Sequence, residues 1–170
     1  MIEWLLPTVP YLKAAHIAAL FLWCGGIIAL PLMLSQHDPA NSRADYGRIR
    51  QATHMTYTLA VTPMAVVAVV AGTWLIFLRE TYVPWLYAKL FFVALLVGAH
   101  AWVGHIVVRV GETKGRYQPP HPYLVVAAAL IPMIAILWLV LSKPDLSWIE
   151  FPAWLMEPGN RQLPFEIPSR

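Results

Sequence analysis

The sequence predicts an all-α integral membrane protein, a four-helix bundle followed by a C-terminal tail rich in proline and aromatic residues. Hydrophobic residues make up 59% of the chain and charged residues only 12%, whereas a soluble domain carries about 25% charged residues. Four stretches without Asp, Glu, Lys or Arg are long enough to cross a bilayer, which takes about 20 mostly apolar residues. These stretches are 14–34, 57–78, 90–108 and 123–142.

Apolar runs of this length are expected to be helices, because a backbone exposed to lipid must satisfy its own hydrogen bonds. The shorter, alternating segments of an outer-membrane barrel are not seen. With their edges included, the predicted spans cover about 11–35, 56–79, 84–109 and 122–143, within one transmembrane domain of residues 1–145. We expect the first span to be kinked by Pro31, the second by Pro63 and the fourth by Pro132.

The basic residues near the predicted membrane edges set the expected orientation. Loops 1 and 3 share one side of the membrane and hold six of them: Arg43, Arg48, Arg50, Arg109, Lys114 and Arg116. The other side, with loop 2 and the termini, holds four: Lys13, Arg79, Lys89 and Lys143. This bias predicts that loops 1 and 3 are cytoplasmic and that both termini lie outside.

The extramembrane tail, residues 146–170, contains four prolines and several large aromatic side chains. Such a segment is expected to lie along the membrane surface or to bind a partner, such as a larger membrane protein complex. The net charge is only +3 and the basic residues are scattered, so no nucleic-acid partner is predicted. The predicted surroundings of the chain are the lipid bilayer and other membrane proteins.

Three histidines, His16, His100 and His105, fall inside predicted spans. An ionisable residue in a span is a functional candidate, although a neutral histidine can also simply bond a neighbouring helix. Residues 3, 4, 7 and 11 positions apart share a helix face. The face around His16 includes Trp23 and Gly26, with small residues that leave room for a flat group or allow close helix packing.

The face around His100 carries Lys89, eleven residues earlier and about 16 Å along the helix axis. A cation at the water edge in line with a buried imidazole suits a porphyrin, whose iron the imidazole ligates and whose propionate the lysine meets. Simple snorkelling of Lys89 is the alternative. His105 points about 140° away from His100 and is not a second ligand for the same iron. Copper, bound by Cys24 and nearby methionines, is a less favoured alternative.

Four segments, in order, resemble the HemJ-type protoporphyrinogen oxidases and the related CopD-like membrane domain. The first helix is similar in "YLKAAHIAALFLWCGG" (11–26), and the second in "TPMAVVAVVAGTWL" (62–75). The third is similar in "WLYAKLFFVALLVGAHAWVGH" (85–105), and the end of the fourth in "LVLSKP" (139–144). Three positions depart from the family pattern: Tyr87, His105 and the "PPHPYL" stretch before the fourth helix.

The resemblance implies a four-helix protein of the bacterial inner membrane that binds haem b and supports the oxidation of protoporphyrinogen IX in haem synthesis. It implies that His16 and His100 are the functional histidines, which we expect to ligate the haem iron. Lys89 corresponds to the family's helix-3 lysine and is the candidate catalytic residue, while Trp23 and Gly26 would shape the pocket. The alternative is a non-catalytic, CopD-like small subunit of a respiratory or other membrane complex, with or without haem.

The predicted orientation can be tested with a reporter that is active only in the cytoplasm. Fused after Arg170, the reporter should be silent, because the C-terminus is expected to be periplasmic. The same reporter placed in loop 1 should be active and serves as the positive control. Strong activity after Arg170 would reverse the topology.

Overall fold

The computed structural model describes residues 3–35, 43–79, 83–112, 117, 119–146 and 148. Within these residues all regular secondary structure is helical, and four helices are long and apolar enough to cross a membrane. The predicted fold class, an all-α four-helix membrane protein, is confirmed. The expected role of the tail, 146–170, falls almost entirely outside the described residues.

A 3-10 helix at Glu3–Thr8 leads directly into the first membrane helix. The first membrane helix is α1, Val9–Ser35. The second is continuous from α2 (Arg43–Met55) through a π-helical segment (Thr56–Val61) to α3 (Thr62–Arg79). The third is α4, Pro84–Glu112, and the fourth is α5, Pro122–Ser142.

The second membrane helix begins well before the predicted position of about 56. Its extension, α2, is a polar helix whose sequence, "RADYGRIRQATHM", contains no apolar run. Hydropathy alone therefore could not reveal it. Thr53 of α2 is nevertheless 1% exposed, and its hydroxyl donates to the main-chain oxygen of Ile49 or Arg50 at 3.0 Å. The extension is thus packed against the bundle, where it contacts α1 and α4.

Proline and a left-handed residue mark the two ends of α5. Pro122 occupies the first turn, where the missing N–H would have no helical partner. At the other end Lys143 has a φ of 41°, and its amide donates to the Leu139 carbonyl at 3.1 Å. This left-handed cap, followed by Pro144, stops the helix.

Helix α1 is the centre of the bundle. It packs against α3 on one side and α5 on the other, and α4 packs against α5. Among the described residues, α3 and α4 make almost no direct backbone contact. The backbones of α3 and α4 therefore stay apart, and side chains such as Thr62 and His100 lie between them.

The core follows one stripe of α1. Trp23, Ile27, Leu30 and Leu34 recur at helical spacing, and each is at most 3% exposed. Many large apolar side chains on the outer faces are exposed instead, for example Phe21 at 76% and Ile131 at 65%. These faces suit lipid rather than water, so the chain is a multi-pass membrane protein in contact with the bilayer.

Gly26 allows α1 to approach the π-helical segment closely. A Cβ built on Gly26 would overlap the side chain of Val61, which is 1% exposed. The neighbouring Gly25 has nothing within 4 Å of such an atom. The absence of a side chain is therefore needed at position 26 and not at position 25.

These two glycines make a matched pair for a stability test. We expect Gly26→Ala to lower the free energy of unfolding by about 1–3 kcal/mol, because the added methyl group overpacks a close contact. Gly25→Ala should be neutral or slightly stabilising, since alanine favours helix by about 1 kcal/mol. Thermal unfolding of both variants in the same detergent measures the difference. Equal melting temperatures would show that the contact at Gly26 relaxes without cost.

Candidate functional site

His16 is anchored to the main chain of α3. Its ring atom Nδ1 lies 2.7 Å from the carbonyl oxygen of Ala68. A carbonyl oxygen can only accept, so Nδ1 carries a proton and donates it. In the neutral ring the other nitrogen, Nε2, then has a free lone pair. Among the described residues, no hydrogen-bond partner is found for this atom.

Gly72 lets the His16 ring lie directly against α3. A Cβ on Gly72 would be 2.8 Å from Cε1 and 3.2 Å from Nδ1 of His16. Any larger residue would push the ring away from the Ala68 carbonyl, which is one turn earlier on the same helix. Two backbone features of α3 thus fix both the position and the protonated nitrogen of His16.

Lys89 of α4 lies close enough to His16 for an electrostatic interaction. Lys89 is five residues into α4 and His16 is seven residues into α1. At 1.5 Å per residue they are about 8 Å and about 11 Å from the end of the bundle where both helices begin. The Lys89 side chain is half-buried. Within the described ranges, no carboxylate pairs with it.

His100 lies deeper in the bundle and contacts side chains from two other elements. The indole Nε1–H of Trp23 donates to Nδ1 of His100 at 3.3 Å. The hydroxyl groups of Tyr57 and Thr62 lie 3.2 Å and 3.5 Å from Nε2. The Tyr57 ring also stacks on the imidazole, with a centroid distance of 5.0 Å and an interplanar angle of 22°.

Tyr57 reaches His100 because of two local features. It lies in the π-helical segment, a rare geometry that is frequently found at functional sites. Gly104, one turn after His100, provides the space, because a Cβ there would overlap the Tyr57 phenol. The sequence did not predict this partner. Tyr57 lies 43 residues before His100, and no local pattern links the two.

The structure places the predicted site residues in two groups. Trp23, expected beside His16, contacts His100 instead, and Gly26 contacts Val61. His16 and Trp23 are seven residues apart on one face, so the His16 and His100 groups differ in depth by about 10 Å. No contact between the two imidazoles is found in the described part of the chain. Their joint ligation of one iron stays a prediction.

The other histidines that the structure describes, His54, His105 and His121, lie outside both groups. Arg109 donates from Nε to Nε2 of the exposed His105 at 3.4 Å, and His121 stacks on Tyr123. His54 is exposed. In the part of the chain that the structure describes, no three His, Cys, Asp or Glu side chains come together as a metal site. The copper alternative stays a prediction.

The chain is similar to a curated protein from Synechocystis sp. (strain ATCC 27184 / PCC 6803 / Kazusa), "Protoporphyrinogen IX oxidase". The two are 25% identical over 154 residues, which cover 86% of this chain and 73% of the relative. No family model matches the chain, and no solved structure matches it significantly. The relative supports a distant relationship to the HemJ-type oxidases. The CopD-like relationship, and with it the alternative of a non-catalytic subunit, stays a prediction.

Proposed function

We propose that this protein binds a porphyrin within the membrane and supports the oxidation of protoporphyrinogen IX to protoporphyrin IX. The observation that carries the proposal is the anchored His16 ring, whose Nε2 has no partner among the described residues and which lies near Lys89. The name of the distant relative supports the same substrate. Haem b is the proposed cofactor, and the bacterial inner membrane, with both termini periplasmic, is the proposed location.

The residues around His16 fit a haem. A metal-binding histidine almost always donates its other ring N–H to a carbonyl or carboxylate, which fixes the tautomer and the ring orientation. The bond from Nδ1 to the Ala68 oxygen has this form. Since α3 and α4 make almost no direct backbone contact, a group wider than a side chain would enter between these two helices. His16 would hold the iron through Nε2, and the bound haem would pass the six electrons of the oxidation, one at a time, to a further acceptor such as a quinone.

Lys89 is suited to orient an anionic porphyrin. A half-buried ammonium group without a carboxylate partner is unfavourable in lipid, and a propionate would neutralise it. The lysine lies nearer than His16 to the end of the bundle where α1 and α4 begin. It would therefore hold the propionate edge towards water, with the macrocycle deeper among apolar side chains. This arrangement keeps the bound macrocycle away from water.

His16→Ala should lower the haem content of the correctly inserted protein by about tenfold or more. Loss of an outer partner of a metal ligand already costs typically 10–100-fold in metal affinity, so loss of the ligand itself should cost at least as much. The reduced-minus-oxidised visible spectrum per mole of purified protein measures this. His105→Ala, which removes an exposed histidine from the same membrane domain, is the matched control and should retain its haem.

A second pair of variants tests the anchoring of the ring without removing it. Gly72→Ala presses a methyl group on the His16 ring and should reduce or shift the haem spectrum, whereas Gly98→Ala has nothing within 4 Å of the added atom.

A full and unshifted spectrum in His16→Ala would contradict the ligand assignment. His16 would then be a histidine that only packs one helix against another.

Lys89→Ala should mostly retain haem but slow the formation of protoporphyrin by about tenfold, which corresponds to about 1.4 kcal/mol of lost electrostatic stabilisation. Lys89→Arg should recover part of the rate because it restores the charge. The fluorescence of protoporphyrin formed in membrane vesicles follows the reaction. If Lys89→Ala is as fast as the unaltered protein, the lysine only snorkels to the interface.

A further inference from the structure

One protonation state accounts for the hydrogen bonds of His100 with Trp23 and Tyr57. An indole N–H can only donate, so Nδ1 of His100 must accept from Trp23 and carries no proton. The neutral ring then has its proton on Nε2, which donates to the Tyr57 oxygen at 3.2 Å. The Tyr57 hydroxyl has its own proton left and donates it to the main-chain oxygen of His100 at 3.4 Å. The Thr62 oxygen, 3.5 Å from Nε2, can accept from the same proton. Both ring nitrogens of His100, the Trp23 indole and the Tyr57 hydroxyl thus have partners.

His16 is held in the opposite tautomer. Its proton is on Nδ1, because the Ala68 carbonyl can only accept. Of the two imidazoles, only His16 therefore presents a lone pair on Nε2. At His100 the same atom carries a proton, and both nitrogens are engaged by other elements of the bundle.

We propose that His100 is a positioning residue, held as the neutral Nε2–H tautomer, that joins α1, the π-helical segment and α4, and does not ligate iron. This differs from the expectation that His100 is the second ligand. The part of the inference that concerns Lys89 rests on the proposed function. The tautomer of His100 does not rest on it, and neither does the junction, by which we mean the contacts of His100 with Trp23 and Tyr57.

Ligation through His100 would disrupt the whole set. Nε2 would have to lose its proton, and a proton on Nδ1 would then face the indole N–H of Trp23. Two donors would oppose each other where lipid offers no replacement partner, which is costly for buried polar groups. Tyr57 would also have to leave both its stack on the imidazole and the space beside Gly104.

The junction explains how Lys89 is brought to His16. Lys89, Val93, Leu96 and His100 follow at spacings of four, three and four residues, so they share one face of α4. Leu96 in the middle of this face is 1% exposed. Since α3 and α4 make almost no backbone contact, the bond between His100 and Tyr57 links the second and third membrane helices in the middle of the bundle. Together with the packing of α4 against α5, this bond sets the rotation of α4 and hence the direction of its Lys89 face.

The tautomers can be read directly by NMR of protein labelled with 15N at the histidine rings, in lipid at neutral pH. The His16→Ala and His100→Gln variants assign the two sets of signals. We expect a proton on Nδ1 of His16 and on Nε2 of His100. Trp23→Phe, which removes the indole donor, should shift the Nδ1 signal of His100 and leave His16 unchanged. An Nδ1–H tautomer at His100, or an iron-shifted signal from its Nε2, would overturn the proposal.

Substitutions of His100 test whether this residue joins the helices or ligates the haem iron. Glutamine offers one acceptor and one donor, so His100→Gln should retain the haem spectrum, the melting temperature and protoporphyrin formation. His100→Ala should lower the melting temperature by about 2–4 °C for each kcal/mol lost. It should also slow protoporphyrin formation, without changing the ligand signature of the haem. His105→Gln on the same helix is the control.

Two results at these positions would contradict the junction. One is a loss of haem, or a changed ligand signature of the haem, in both His100→Gln and His100→Ala. The other is a Tyr57→Phe protein with unchanged stability and unchanged His100 signals. If the protein proves to bind no haem, the proposed function fails, but the NMR tautomers and the melting temperatures still decide the junction.

Discussion

A polar side chain in the hydrocarbon core needs a protein partner, because lipid offers no hydrogen bonds. This constraint shapes the two groups of residues around His16 and His100. His16 satisfies it with a main-chain carbonyl of α3, and its other nitrogen has no partner in the part of the chain that the structure describes. His100 satisfies it with an indole and a phenol, and uses both nitrogens. Histidine thus presents a nitrogen that can bind a ligand at position 16, whereas at position 100 both of its nitrogens are hydrogen-bonded.

Close approach of helices makes these partners available, and three glycines permit it. Gly26 admits Val61, Gly72 admits the His16 ring, and Gly104 admits the Tyr57 phenol. Each contact joins a different pair of elements. Small residues are a common means of packing membrane helices, because the backbone can then approach within side-chain contact distance. Here two of the three glycines lie against polar groups, so the packing of the bundle and the placement of its chemistry depend on the same positions.

The features predicted from the sequence are those with a local signal. Long apolar runs revealed the four membrane helices, and helical spacing placed Lys89 on the same face of the third membrane helix as His100. The polar helix α2 has no such signal, and neither has the π-helical segment that carries Tyr57. Trp23 shows the limit of periodicity most clearly. It shares a helix face with His16, as expected, but two turns separate them. Its partner depends on which residue of α4 lies at its own depth.

Because His16 and His100 are held in different tautomers, the shallow and the deep parts of the space between α1, α3 and α4 differ in chemistry. Near the end where α1 and α4 begin, His16 offers a lone pair and Lys89 offers a charge, and neither has an anionic partner among the described residues. Deeper in, Leu96 is buried and the Trp23–His100–Tyr57 set satisfies its own polar atoms. A ligand that bonds through a metal and carries a carboxylate would therefore gain interactions only in the shallower part. In the deeper part it would have to break bonds that already exist.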